Sequence, residues 1–253
     1  KSACMERWTE SPRSTHRRQR KAAKLFVTKH VRKESTMQVI LPIPDDCHVH
    51  FRSGGRLRSV VPYTAAEFAR AIVMPNLAPK HVTTLAEVMS YRDEILHAVP
   101  QGMDFTPLMT VSLSKEMTPT DLRETLASPY VYAAKLSAGH TPNADGMSDL
   151  GSMMWAFVEL EKAGKPLLVH GEAGVTVDVF DREQRFYEKE MPRILGSFPA
   201  LKVVCEHITT AYVADFVLTA GQNVAATITP QHLLIGRNDM LGKGGIRPDY
   251  YCM

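Results

Sequence analysis

Asp45-Asp46-Cys47-His48-Val49-His50-Phe51-Arg52 follows the apolar opening Ile40-Leu41-Pro42-Ile43. In an extended strand side chains alternate between faces, so the imidazoles of His48 and His50 share one side and a metal ion can sit between them. Arg52 keeps the same parity, which places a fixed cation one step beyond the two rings, able to grip a carboxylate with two parallel hydrogen bonds. The alternative is a half-buried strand whose histidines are satisfied by hydrogen bonds. The rest of the chain must decide.

Working outward, one theme repeats after Met37: a short apolar run ends in a polar residue and is followed by a helical stretch. The runs are 47–51, 71–74, 105–111, 131–136, 166–169, 201–205 and 224–228. Between them, helices are predicted over 65–70, 84–98, 118–127, 147–163, 181–195 and 210–220. Thr84 and Thr118 are suited to cap helix N-termini, and Gly164 to end a helix. Gly54-Gly55 and Gly242-Lys-Gly-Gly lack the placement of a phosphate loop and read as turns. A spacing of about 30 residues fits βα units in a parallel sheet. Seven strands of buried composition suggest a (β/α)8 TIM barrel with its eighth unit missing from this chain. A doubly wound open sheet would gather its ligands in one crevice, whereas here candidate ligands fall at the ends of many strands.

Those strand ends supply His48, His50 and Arg52, then Asn76, Lys135, His170 and His207. Lys135 lies in Val131-Tyr-Ala-Ala-Lys-Leu, where no solvated lysine belongs. Either it snorkels or pairs with an acid, or burial lowers its pKa and the neutral amine takes up carbon dioxide as a carbamate, a two-oxygen metal ligand. Four histidines with an oxygen bridge suit two zinc ions about 3.5–4 Å apart in a hydrolytic site.

Composition excludes other classes. At 253 residues, 44% hydrophobic and 23% charged, the sequence is that of an ordinary globular protein without an apolar run long enough to cross a membrane. Residues 1–36 hold eleven Lys/Arg against three Glu, so the formal charge of +3 comes from this arm and the remainder is net acidic. Nucleic-acid binding has only that arm to stand on and is not expected. The arm reads as a disordered extension or a targeting segment, ahead of a barrel over 37–253. Cys4, Cys47, Cys205 and Cys252 form no CxxC pair, which points to a reducing compartment. Cys47 and Cys205 are expected in the core, Cys205 on the same face as His207.

Asp45 to Arg52, Arg70-Ala-Ile-Val-Met-Pro-Asn-Leu-Ala-Pro, Phe105-Thr-Pro-Leu-Met-Thr, Ala133-Ala-Lys-Leu, Pro166-Leu-Leu-Val-His-Gly-Glu, Phe180-Asp-Arg-Glu, Glu206-His-Ile-Thr-Thr and Ala226-Thr-Ile-Thr-Pro-Gln-His-Leu, in this order, resemble dihydroorotase of the bacterial and plant type, in the amidohydrolase superfamily. The resemblance implies a two-zinc barrel that reversibly closes N-carbamoyl-L-aspartate to L-dihydroorotate in pyrimidine biosynthesis. It implies that His48 and His50 bind the more buried zinc, that a carbamylated Lys135 bridges both ions, and that His170 and His207 hold the second. Arg52 and Asn76 match the family's binders of the substrate carboxylate, and Thr141 is the threonine left to touch substrate in the loop after Lys135. A hydantoinase or allantoinase, sharing the same metals, is the nearest alternative activity.

In that family an aspartate in a Gly-Thr-Asp segment of the eighth strand binds the first zinc and shuttles the proton. The sequence ends at Met253 before such a segment. No catalytic residue is therefore expected within this chain, and little or no dihydroorotase activity from it alone; a non-catalytic remnant is the alternative from another class. A homodimer and a cytoplasmic location are expected, or a mitochondrial or plastid one if the basic arm is a transit peptide.

Overall fold

Parallel strands and helices alternate along the chain from Asp45 to Leu241 in a computed structural model that describes residues 42–253, apart from 78–79, 139, 142–143, 146–148, 243 and 251–253. The expected boundary at Met37 and the reading of the basic arm lie outside the described residues. Residues 43–253 form one compact unit.

The elements are β1 (Asp45–Val49), α1 (Gly54–Glu67), β2 (Arg70–Val73), α2 (Leu85–Ala98), β3 (Thr106–Ser112), α3 (Pro119–Ala127) and β4 (Val131–Ser137). A small antiparallel pair, β5 (His140–Thr141) and β6 (Ala144–Asp145), leads to α4 (Met154–Ala163). Then come β7 (Leu167–His170), α5 (Arg182–Ser197), β8 (Val203–Cys205), α6 (Ala211–Thr219), β9 (Val224–Ala226), and the short α7 (Pro230–Leu234) and α8 (Arg237–Leu241). Seven strands form one parallel sheet in chain order, β1-β2-β3-β4-β7-β8-β9. That is the strand order of a barrel rather than of a doubly wound sheet, in which the order reverses.

The sheet is curled. His48 at the end of β1 contacts Glu206 at the end of β8, although β8 lies five strands along from β1. In a flat sheet those strands would stand about 24 Å apart, at about 4.8 Å per strand. The concave side carries its own cluster, Met74, Ala133 and Leu168 with Ile72 and Val204. The convex side packs against the helices through Val73, Met109, Val111, Ala134, Val169, Val203 and Cys205. Side-chain parity then carries the concave face upward, from Ile72 and Met74 to Asn76, from Ala133 to Lys135, from Leu168 to His170, and from Val204 to Glu206.

Local chemistry accounts for most helix limits. Thr84 and Thr118 each accept the N–H of the acidic residue three positions on, Glu87 and Asp121, whose carboxylates accept the threonine N–H in return. Gly164 closes α4 in the left-handed region at φ 65°. The expected turn at Gly54-Gly55 is instead the start of α1, a helix predicted only from Ala65. Two glycines and Pro62 disfavour helix locally; Leu57, Val61, Thr64 and Ala65, at positions i, i+4, i+7 and i+8, bury one face of it and hold it to the sheet. Cys47, expected in the core, is exposed on β1, while Cys205 is buried. Cys47 sits on the first strand of the sheet order, on the face opposite to that of His48. Among the described residues no helix is long and apolar enough to cross a membrane.

Candidate metal centre

Every strand-end residue named from the sequence, apart from Thr141, reaches the C-terminal end of the sheet with a described side chain. Nε2 of His48 lies 3.2 Å from Nε2 of His50, and Nδ1 of His170 lies 3.2 Å from Nε2 of His207. The two pairs adjoin, with the rings of His48 and His207 centred 5.2 Å apart. Beneath them sit Lys135 and Glu206, each only 2% exposed.

Glu206 was not among the residues predicted from sequence, yet it joins several parts of the centre. Its Oε2 contacts His48 Nδ1, lies 4.0 Å from Lys135 Nζ and accepts a 3.5 Å hydrogen bond from the Thr227 hydroxyl. Thr227 Oγ1 in turn accepts the His207 main-chain N–H at 2.7 Å. The signal was present: a carboxylate inside Leu201-Lys-Val-Val-Cys-Glu-His is as out of place in a buried strand end as Lys135 is in β4.

Two parity expectations fail, for one reason. His207 was expected beside Cys205, but Cys205 faces the helices and Glu206 faces inward. His207 takes φ 40° and Arg52 takes φ 62°, left-handed values that end the strand alternation at those residues. The chain turns there, and His207 swings its ring back to His170. Arg52 leaves the line of His48 and His50 but still meets Asn76, donating from Nη1 to its main-chain oxygen at 3.2 Å. Asn76 Oδ1 is buried without a hydrogen-bond partner. Thr141 lies in β5, whose side chains are outside the described set.

Burial sets the charge states. Desolvation pushes the Lys135 amine down to about 8, against an opposing pull from the Glu206 carboxylate. It pushes His50 to about 3, helped by the nearby cations and rings of His48 and Arg52. His207 falls to about 2, again chiefly by burial and then through Lys135. Both imidazoles are thus neutral near pH 7, the form that binds a metal.

The donors fit zinc on geometry. Two nitrogens each about 2.0–2.1 Å from a tetrahedral ion stand about 3.3–3.4 Å apart, close to the 3.2 Å of both pairs. Without an ion, each pair can instead share one N–H···N hydrogen bond, one ring donating and the other accepting. Lys135 Nζ and Glu206 Oε1 are also buried without hydrogen-bond partners. Among the described residues no three His, Cys, Asp or Glu donors already surround one point; Lys135 lies near enough to His50 and His207 for its charge to hold down the pKa of both.

No family model matches the sequence. A protein named dihydroorotase from Shewanella sediminis is 49% identical over 218 residues, covering 85% of this chain and 63% of its own length; the chain spans about that share of the curated relatives it matches. The crystal structure of dihydroorotase from Campylobacter jejuni superposes with a TM-score of 0.70 at 32% identity, over 81% of this chain and 58% of that one. An L-hydantoinase from Arthrobacter aurescens shares the fold, with a TM-score of 0.65 at 17% identity over 78% of this chain and 49% of that one.

Proposed function

We propose, from the homology of this chain to the dihydroorotases, that it carries the zinc centre of a cyclic amide hydrolase acting between N-carbamoyl-L-aspartate and L-dihydroorotate. The observation that carries the reading is the meeting of two imidazole pairs over a buried lysine at one end of a parallel barrel sheet. In this reading His48 and His50 hold one ion, His170 and His207 the other, and Lys135 bridges them as a carbamate. When bound, the ions supply the positive charge that polarises an amide carbonyl and lowers the pKa of water.

The chain's own residues do the rest. Burial leaves Lys135 with a substantial neutral fraction near pH 8; its nitrogen adds to the carbon of carbon dioxide, forming an N–C bond and releasing one proton. Arg52, anchored through Asn76, offers its remaining N–H groups to the substrate carboxylate and fixes the ring in one pose. Thr141, in the loop after Lys135, is the threonine left to touch the substrate. The proton shuttle is assigned to no residue of this chain. A homodimer in the cytoplasm, with residues 1–36 as an extension ahead of the barrel, completes the reading.

Incubation with zinc and carbon-13 bicarbonate tests the bridge. A carbamate resonance is expected in the wild type and not in Lys135→Met; its absence from zinc-loaded wild type would contradict the bridge. Calorimetric titration tests the substrate: L-dihydroorotate should bind the zinc-loaded chain, and Arg52→Met should weaken it about tenfold or more, as loss of a charge-assisted pair does. Binding of unsubstituted hydantoins in preference would favour the hydantoinase alternative, and failure to take up zinc would favour a non-catalytic remnant.

A further inference from the structure

We propose that Glu206 is the positioning residue of this centre, which sets the tautomer of His48 and ties the two histidine pairs together. The inference rests on the two-zinc reading for its meaning but not for its geometry.

A carboxylate can only accept, so the contact between Glu206 Oε2 and His48 Nδ1 places the ring proton on Nδ1. Nε2 is then left with its lone pair, pointing at Nε2 of His50. Without the carboxylate, an imidazole carries its proton on either nitrogen, and with it on Nε2 His48 has no lone pair to offer on that side. A carboxylate partner on the far nitrogen also makes the ligating nitrogen more basic. The second role follows from Thr227. Its hydroxyl donates to Glu206 while its oxygen takes the main-chain N–H of His207. That N–H belongs to a residue at φ 40°, whose turn brings its ring to His170. One buried side chain thus bears on β1, β4, β8 and the residue following β9, and on both histidine pairs. Glu206 Oε2 also lies 4.0 Å from Lys135 Nζ.

Two measurements test this. Two-bond proton–nitrogen spectra of the metal-free chain, labelled with nitrogen-15 histidine and assigned through His48→Gln, read the tautomer directly. His48 should be protonated on Nδ1; protonation on Nε2 overturns the proposal. Zinc affinity, measured by competition with a chromophoric chelator, should fall about 10–100-fold in Glu206→Gln, with near-ultraviolet circular dichroism checking that the variant keeps its packing. A folded variant with wild-type affinity overturns the proposal. The spectra need no metal, so a chain that takes up no zinc sinks the two-zinc reading while the His48 tautomer still decides the role of Glu206.

Discussion

Lys135 and the histidines make the stability of the metal-free centre rise with pH, in two separate windows. The lysine amine, at about 8 in the fold against an ordinary 10.5, gives up its proton while the unfolded chain still holds one. Stability therefore rises with pH across that window. The unfolding free energy of the wild type should gain on that of Lys135→Met by up to about 1.4 kcal/mol per pH unit there. Urea titrations of both proteins in buffer free of carbon dioxide check it, and a constant difference would contradict the burial of the amine. His50, held down to about 3 from an ordinary 6.5, acts on the acid side. Below 6.5 the unfolded chain takes up a proton that the fold refuses, so stability falls as the pH drops toward 3. Replacing His50 by Asn should flatten that fall; an unchanged acid limb would show His50 to be solvated. Lys135, His170 and Asn76 were legible because the face they occupy follows directly from strand parity. Arg52 and His207 were legible as residues but not as geometry, since a left-handed φ at each resets the alternation and no glycine announces it. Glu206 was not legible as a site residue because strand parity assigns only one of Glu206 and His207 to the inner face, and the left-handed turn at His207 brings both there.

At the scale of elements, caps and close approaches carry the sharpest expectations. Thr84 and Glu87 satisfy each other's main-chain N–H groups at the start of α2, and Thr84→Ala should cost about 1 kcal/mol in urea unfolding. No loss would mean that tertiary contacts alone hold that end. Gly171, just past His170, has no room for a side chain: an added Cβ would lie 2.6 Å from the Tyr187 ring and 2.7 Å from Phe186. Gly171→Ala should destabilise by about 1–3 kcal/mol as α5 is forced off β7, and should weaken zinc binding by moving His170. Wild-type stability in that variant would show α5 free to shift. Helices α2, α3 and α6 could be placed from the sequence because their caps and apolar spacing agree. Most of α1 could not, since glycine and proline speak against helix and only the buried stripe from Leu57 to Ala65, a tertiary effect, overrides them.

The whole molecule follows from one repeated unit whose strands stay in chain order. That order, and the convergence of polar ends, could be read from the spacing of apolar runs. The curl of the sheet could not, because it shows only when β1 and β8 are seen to touch through His48 and Glu206. The proposed ions bind a site built from β1, β4, β7 and β8, which exists only in the folded chain. Added zinc should therefore raise the unfolding temperature with rising concentration, and a chelator should reverse it. An unfolding temperature independent of zinc would place any bound metal outside the fold. The most direct test of the centre is the zinc content of the purified, reconstituted chain, set beside two double variants, His48→Ala with His50→Ala and His170→Ala with His207→Ala. The account predicts two zinc ions per chain in the wild type and fewer in both variants; a wild type without zinc, or zinc unaffected by either pair of substitutions, would contradict it.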